Sequence, residues 1–271
     1  MPVEFLQLLT GSSASITVYK TAKDFISKKP KILQNLTKNR QKIAILGAGG
    51  VGKTSISLTL ADKKNEISFE YQSSPNVEKE KFSNCILLVQ AGQERRVEKH
   101  WEQFQTELNN GAIQGCINVV AYGFHSTEQS SKAEFDFYSS GMSHQAFIQH
   151  YTDLHQRREI QLLKELKHSL KGFKKELWIL TLVNKQDLWW SQQDEVRKFY
   201  TEGSYNNIIE ELRGKIGDNN FNHEYISMSP IIHNFKIGSE ILQPNEKGYD
   251  QLLQRMNESK VLETINGLIK N

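Results

Sequence analysis

The chain has 271 residues, of which 38% are hydrophobic and 24% are charged, and its formal net charge is a mild +3. These values are those of an ordinary soluble globular protein, long enough for one large domain with embellishments. No apolar stretch approaches the roughly 20 residues of a membrane span, we expect no signal peptide, and we predict a cytoplasmic protein. The two cysteines, Cys85 and Cys116, lie at the edges of apolar runs, which predicts buried thiols and argues against a disulfide framework or a zinc site.

The N-terminal part of the chain is basic. Residues 1–42 contain eight Lys or Arg residues and only two acidic ones. We interpret residues 1–41 as a basic extension that contacts an anionic lipid surface, a nucleic acid or an acidic partner, or that forms a solvated arm on the domain. A short apolar cluster within it (Val3, Phe5, Leu6, Leu8 and Leu9) favours an element that docks on a membrane interface or on a partner protein, and nothing else indicates nucleic acid.

A phosphate-binding loop follows the apolar run at residues 43–46. The pattern G-x-x-x-x-G-K-[ST] is complete and is followed by Ser55; its residues are Gly47, Ala48, Gly49, Gly50, Val51, Gly52, Lys53 and Thr54. In such a loop the glycines turn successive main-chain N–H groups toward the α- and β-phosphates. The lysine reaches the β- and γ-phosphates, and the hydroxyl of Thr54 binds Mg²⁺. A helix that begins at about Gly52 would direct its positive end at the same oxygens. The sequence therefore predicts a site for a nucleotide with Mg²⁺.

The next segments predict a sheet. Residues 77–82 alternate as in an exposed strand, whereas residues 85–89, 117–121 and 177–183 are continuous apolar runs typical of buried strands. Because such runs alternate with helical segments, we predict an α/β fold with a mostly parallel central sheet and helices on both faces. Residues 126–143 are polar and serine-rich, which predicts a surface loop within an insertion at about 124–160, and apolar residues at helical spacing predict a long helix up to Leu170.

The motif Asn184-Lys185-Gln186-Asp187 comes directly after the strand that ends at Val183. A carboxylate at Asp187 can accept the N1–H and the N2 amine of guanine, whereas adenine offers neither donor at that edge. Asn184 can hold the neighbouring loops, and the stem of Lys185 can cover the base plane. Trp189 and Trp190 either pack beside this loop or form an exposed aromatic pair for a partner. The last strand is expected to begin at Tyr225, and residues 249–269 predict a closing helix.

With Ala91-Gly92-Gln93-Glu94 after the strand at 85–89, the chain resembles the Ras-like small GTPases, over about residues 42–270. The resemblance implies a Rossmann-like P-loop GTPase domain, here residues 42–271, that binds GTP and GDP with Mg²⁺ and changes two mobile loops with the γ-phosphate. It also implies that the N–H of Gly92 binds the γ-phosphate and that Gln93 orients the attacking water.

Three departures from the family pattern concern the metal and the base. Val89 occupies the place of an Asp that supports Mg²⁺, so either another carboxylate (Glu94, Glu78 or Glu80) supplies the charge, or Thr54 and phosphate oxygens hold the metal alone. The Thr of the first mobile loop has no counterpart except Ser73 or Ser74. The loop that contacts guanine O6 aligns with Ser229-Pro230, in which proline lacks the N–H, or in another register with Ser227-Met228.

The leading hypothesis is a GTP-binding molecular switch or assembly regulator with slow or partner-stimulated hydrolysis, which implies a protein regulator or effector and a peripheral contact of the basic arm with an anionic membrane. The alternative is a non-hydrolysing guanine-nucleotide-binding interaction module. A phosphate-loop kinase or ATPase is disfavoured by residues 184–187.

Overall fold

The computed structural model describes residues 42–68, 77–82, 85–90, 104–170, 172–173, 175–244 and 248–270. The basic extension, Ser73 and Ser74, and the segment with Gly92, Gln93 and Glu94 lie outside these residues, so the predictions made for them stay predictions.

A six-stranded sheet forms the centre of the protein. Its strands are β1 (Lys42–Leu46), β2 (Glu78–Phe82), β3 (Cys85–Val89), β4 (Ile113–Val120), β5 (Leu177–Val183) and β6 (Phe221–Ser227). The spatial order is β2-β3-β1-β4-β5-β6, and the pairing is parallel except between β2 and β3. The inner strands β1, β4 and β5 are almost wholly buried because helices cover both faces, which explains their continuous apolar runs. The predicted α/β fold is confirmed.

Helices pack on both faces of the sheet. They are α1 (Lys53–Leu60), α2 (104–109), α3 (His144–Ser169), α4 (Gln186–Trp189), α5 (Gln193–Thr201), α6 (Ser204–Ile216) and α7 (Gln251–Lys270). Apolar side chains of α1 and α7 join one core cluster, on the face that contains Cys85. Side chains of α2, α3, α5 and α6 join the other cluster, on the face that contains Cys116. The predicted long helix is α3, and the closing helix is α7.

Two segments differ in part from their predicted structure. The last strand begins at Phe221 and not at Tyr225, because β6 is an edge strand whose first half alternates with exposed polar residues such as Asn222. The serine-rich segment 126–143 lies mostly on the surface as predicted, but Phe135 anchors it in the core beside Phe147 and Tyr151.

A small hairpin, β7 (Phe235–Ile237) and β8 (Glu240–Leu242), lies against this insertion. The carboxylate of Glu240 pairs with Lys132 and with His144, and Phe235 packs edge-to-face on Phe124. The hairpin and the insertion therefore form one packed unit beside the carboxyl ends of the strands. Among the described residues, no helix combines the length and the apolar character needed to cross a bilayer.

Candidate nucleotide-binding site

The phosphate loop occupies residues 47–52, between the end of β1 and the start of α1. Two of its glycines are required by their surroundings. Gly50 has φ +76° and a Cβ there would come within 2.1 Å of the carbonyl oxygen of Ser126, while Gly52 has φ +91° and a Cβ would come within 2.3 Å of the side-chain nitrogen of Asn184. Only glycine adopts such backbone angles without strain and permits so close an approach. The loop is thus packed between the chain that follows β4 and the chain that follows β5.

Lys53 lies inside this loop. Its buried amino group donates hydrogen bonds to the carbonyl oxygens of Gly47 (2.9 Å) and Ala48 (2.8 Å). Burial lowers the pKa of Lys53 to about 8, against the opposing effect of the Glu78 carboxylate. The amino group therefore remains mostly protonated at neutral pH, and an ammonium group has a third N–H to offer to a phosphate oxygen.

Thr54 and Glu78 place two oxygen ligands for a metal ion beside the phosphate loop. The exposed hydroxyl of Thr54 donates a hydrogen bond to the carboxylate of Glu78 on β2, at 3.2 Å. Val89, at the end of β3, is buried in the apolar cluster with α1 and α7. No group of three or more His, Cys, Asp or Glu side chains suited to a metal occurs among the described residues. A hydroxyl and one carboxylate nevertheless match Mg²⁺, which takes oxygen ligands, keeps several waters and binds through one or two carboxylates plus phosphates.

The residues after β5 connect directly to the phosphate loop. The side-chain amide of Asn184 donates to the carbonyl of Val51 at 2.7 Å, and its oxygen accepts from the N–H of Lys185. The indole N–H of Trp189 donates to the main-chain carbonyl of Asn184 at 2.9 Å, so this tryptophan packs beside the loop and is not exposed. Asn184 therefore fixes the separation between the two motifs.

The buried amino group of Lys185 also contacts the phosphate loop. It donates to the carbonyl oxygen of Gly50 (2.9 Å) and to the hydroxyl of Ser126 (3.0 Å), and it lies 4.1 Å from the ring centroid of Phe235. Burial lowers the pKa of Lys185 to about 7, and the nearby Asp187 carboxylate opposes this effect. Lys185 thus links the phosphate loop to the insertion and to the hairpin.

Asp187 is held in place by the chain that follows β6. The hydroxyl of Ser229 donates to its carboxylate, and the main-chain N–H of His233 also interacts with it. Burial raises the pKa of Asp187 to about 6, partly offset by these hydrogen bonds. Ser227, in contrast, is the last residue of β6 and accepts a hydrogen bond from Gln186. Of the two serines, Ser229 is the one that contacts Asp187, and the assignment of Ser229-Pro230 to the base loop stays a prediction.

The loop with Ser229 lacks the expected main-chain donors. Pro230 has no N–H, and the N–H of Ser229 donates to the hydroxyl of Tyr249 at 3.0 Å. The side-chain amide of Gln254 on α7 donates to the carbonyls of Ser229 (2.9 Å) and Pro230 (2.7 Å), which fixes the loop in this orientation. A guanine O6 would meet no free N–H from either residue.

A buried carboxylate that the sequence analysis missed supports the other side of the site. Glu159 on α3 is only 2% exposed and accepts hydrogen bonds from the chain after β4, at the N–H groups of Ala121 (2.8 Å) and Gly123 (3.2 Å). It also accepts from Nε2 of His125 (2.8 Å), while desolvation keeps the pKa of that histidine low and the ring neutral. At the next residue, the N–H of Ser126 donates to the carbonyl of Gly50 at 2.9 Å. An acidic residue within the apolar stripe of a predicted helix was the available signal.

Comparisons with known proteins concern the fold. No protein-family model matches the chain, and no curated protein matches it. Among the solved structures that resemble it are three at 12–13% sequence identity. The chain's own fold is α/β, with a mostly parallel six-stranded sheet and helices on both faces. One of the three structures is the ADP-ribosylation factor-like GTP-binding protein, small COPII coat GTPase SAR1, from Encephalitozoon cuniculi in complex with GDP, with 13% identity, coverage of 95% of both chains and a TM-score of 0.40. Another is a probable GTP-binding protein engB, with 13% identity, coverage of 85% of this chain and 100% of that chain, and a TM-score of 0.48. The third is the signal recognition particle receptor SRb-GTP/SRX complex from Chaetomium thermophilum, with 12% identity, coverage of 82% of this chain and 97% of that chain, and a TM-score of 0.44.

Proposed function

We propose that this protein binds GTP and GDP together with Mg²⁺ and acts as a molecular switch or assembly regulator. The observation that carries the proposal is the hydrogen bond from the Asn184 amide to the carbonyl of Val51, which joins a phosphate loop to a guanine-type loop at a fixed separation. Neither motif alone specifies the nucleotide. Together they support one ligand with phosphates at residues 47–55 and a guanine base at Lys185, Asp187 and Ser229.

The chain's own residues divide the binding work. Main-chain N–H groups of the loop and the ammonium of Lys53 neutralise phosphate charge. Thr54 offers a hydroxyl for Mg²⁺, which supplies charge neutralisation of the phosphates when bound. The carboxylate of Asp187, which Ser229 orients, has lone pairs left for the N1–H and N2 amine of guanine.

Hydrolysis is the second part of the proposal. Gly92 and Gln93 are the residues proposed to contact the γ-phosphate and to orient the attacking water. Because Val89 provides no carboxylate, we propose slow turnover that a protein partner stimulates. The same observation favours the second candidate, a guanine-nucleotide-binding module that does not hydrolyse GTP. Phosphate release from a stoichiometric complex with GTP and Mg²⁺ separates the two.

Base recognition is tested by Asp187→Asn, with Asp194→Asn as the matched control because Asp194 is exposed on α5. The amide replaces one acceptor oxygen of the carboxylate with an NH₂ donor. The variant should therefore lose about tenfold or more in GDP affinity and bind xanthosine diphosphate better than GDP. Asp194→Asn should behave as the unaltered protein. Titration with fluorescent nucleotides measures both, and equal affinity of the unaltered protein for GDP and ADP would contradict the proposed function.

A further inference from the structure

The carboxylate that Val89 lacks is present on the neighbouring strand. β2 and β3 pair antiparallel, and Glu78 is the residue directly opposite Val89 in this pairing. Directly opposed residues in an antiparallel pair have Cβ atoms about 5 Å apart. An acidic side chain at Glu78 therefore starts about 5 Å from where one at position 89 would start, on the same face and at the same end of the sheet.

The Glu78 side chain is directed at the loop. Its carboxylate accepts the hydrogen bond from the hydroxyl of Thr54, at 3.2 Å. Its charge also reaches Lys53, where it favours the protonated amine. The carboxylate is thus in contact with the hydroxyl that the phosphate-loop motif assigns to Mg²⁺, and close to the lysine that faces the phosphates.

Glu80, which lies on the same face of β2, is occupied elsewhere. Its carboxylate forms an ion pair with Lys63, which follows α1, at 3.0 Å. Lys63 also approaches Glu66, at 3.9 Å. Of the two glutamates on β2, only Glu78 therefore faces the site.

We propose that Glu78 is a ligand of the nucleotide-bound Mg²⁺, directly or through one water, and replaces the carboxylate that the family pattern puts at position 89. The inference rests on the proposed function and names the metal ligand within that site. A single carboxylate beside a hydroxyl suits Mg²⁺, whose remaining positions are filled by phosphate oxygens and water. Without the metal, the same carboxylate repels the phosphates.

This double role makes the test specific. The release rate of a fluorescent GDP analogue is measured across a Mg²⁺ titration and in EDTA for the unaltered full-length protein, Glu78→Gln and the matched control Glu80→Gln. We expect Glu78→Gln to raise the Mg²⁺ concentration of half-maximal slowing by about tenfold, as expected for the loss of one charge-assisted contact. In EDTA we expect the same variant to release GDP more slowly than the unaltered protein, because the repulsion is gone. Glu80→Gln should change neither quantity.

An unchanged Mg²⁺ midpoint in Glu78→Gln, or an equal shift in Glu80→Gln, overturns the inference while GDP binding by the unaltered protein still supports the proposed function. Faster release by Glu78→Gln in EDTA also overturns it, because that result indicates a structural role for the side chain. Failure of the unaltered protein to bind GDP overturns the proposed function itself and the inference with it. Circular dichroism of each variant verifies that the isosteric change leaves the fold intact.

Discussion

Replacing Glu159 with leucine should reduce the free energy of unfolding by about 3–5 kcal/mol, the usual result of removing one partner from a buried charged network. The carboxylate accepts from four buried donors: two main-chain N–H groups, the ring of His125 and the hydroxyl of Tyr200, the last at 2.6 Å. Each donor left without an acceptor costs about 1–3 kcal/mol. The summed cost of the four donors is larger than the expected loss in the free energy of unfolding. The difference arises because leucine also removes the cost of burying a carboxylate.

Equilibrium urea denaturation measures this loss. Glu159→Gln keeps one acceptor oxygen and should lie between the unaltered protein and the leucine variant. Glu165→Leu on the same helix is the control, since its side chain is 31% exposed and surface substitutions change stability by about 0.5 kcal/mol or less. A loss below about 1 kcal/mol for Glu159→Leu, or one no larger than for Glu165→Leu, would refute the idea that this carboxylate holds the chain after β4 against the phosphate loop.

Two further predictions concern the base loop and pH. Pro230→Ala restores a main-chain N–H and should tighten GDP binding by about 1 kcal/mol, with a smaller gain for 6-thio-GDP. Pro244→Ala is the control and should have no effect. Titration of both nucleotides decides whether the restored N–H faces O6. Burial lowers the pKa of His155 to about 2 and of His223 to about 4, and it also lowers the pKa of His125 and of His233, so as the pH falls below 6.5 the unfolded chain binds protons at these four histidines before the folded protein does. Burial raises the pKa of Asp187 to about 6, so between pH 6 and 4 the folded protein binds one proton that the unfolded chain does not bind. Stability should therefore fall toward acid by about 1.4 kcal/mol per pH unit or more in this window, and His223→Gln should reduce the slope by about 1.4 kcal/mol per pH unit; a flat profile in the unaltered protein would contradict this.

Sequence alone predicted the elements that depend on local pattern. The phosphate loop, the buried strands and α3 could be recognised because the required residue types lie close together in the chain. The connection of Asn184 to Val51 could be anticipated only as a general role, since 133 residues separate them.

What the sequence did not predict depends on distant partners. Three-residue strands such as Phe235–Ile237 are too short to show a period, and the hairpin is fixed by Glu240 and by packing on Phe124. The register of the base loop was ambiguous between two serines, and only the contact of Ser229 with Asp187 distinguishes them. The choice of Glu78 over Glu80 likewise required the position of the Thr54 hydroxyl on α1.

The two cysteines are positioned to report on the two helical layers separately. Neither forms a disulfide, and Cys85 packs in the layer with α1 and α7 whereas Cys116 packs in the layer with α3, α5 and α6. Burial raises the pKa of the Cys116 thiol, so this side chain is unreactive until its layer opens. The protein thus contains a natural alkylation probe on each side of its sheet, and the order in which the two thiols react under mild denaturant would reveal which layer of helices detaches first.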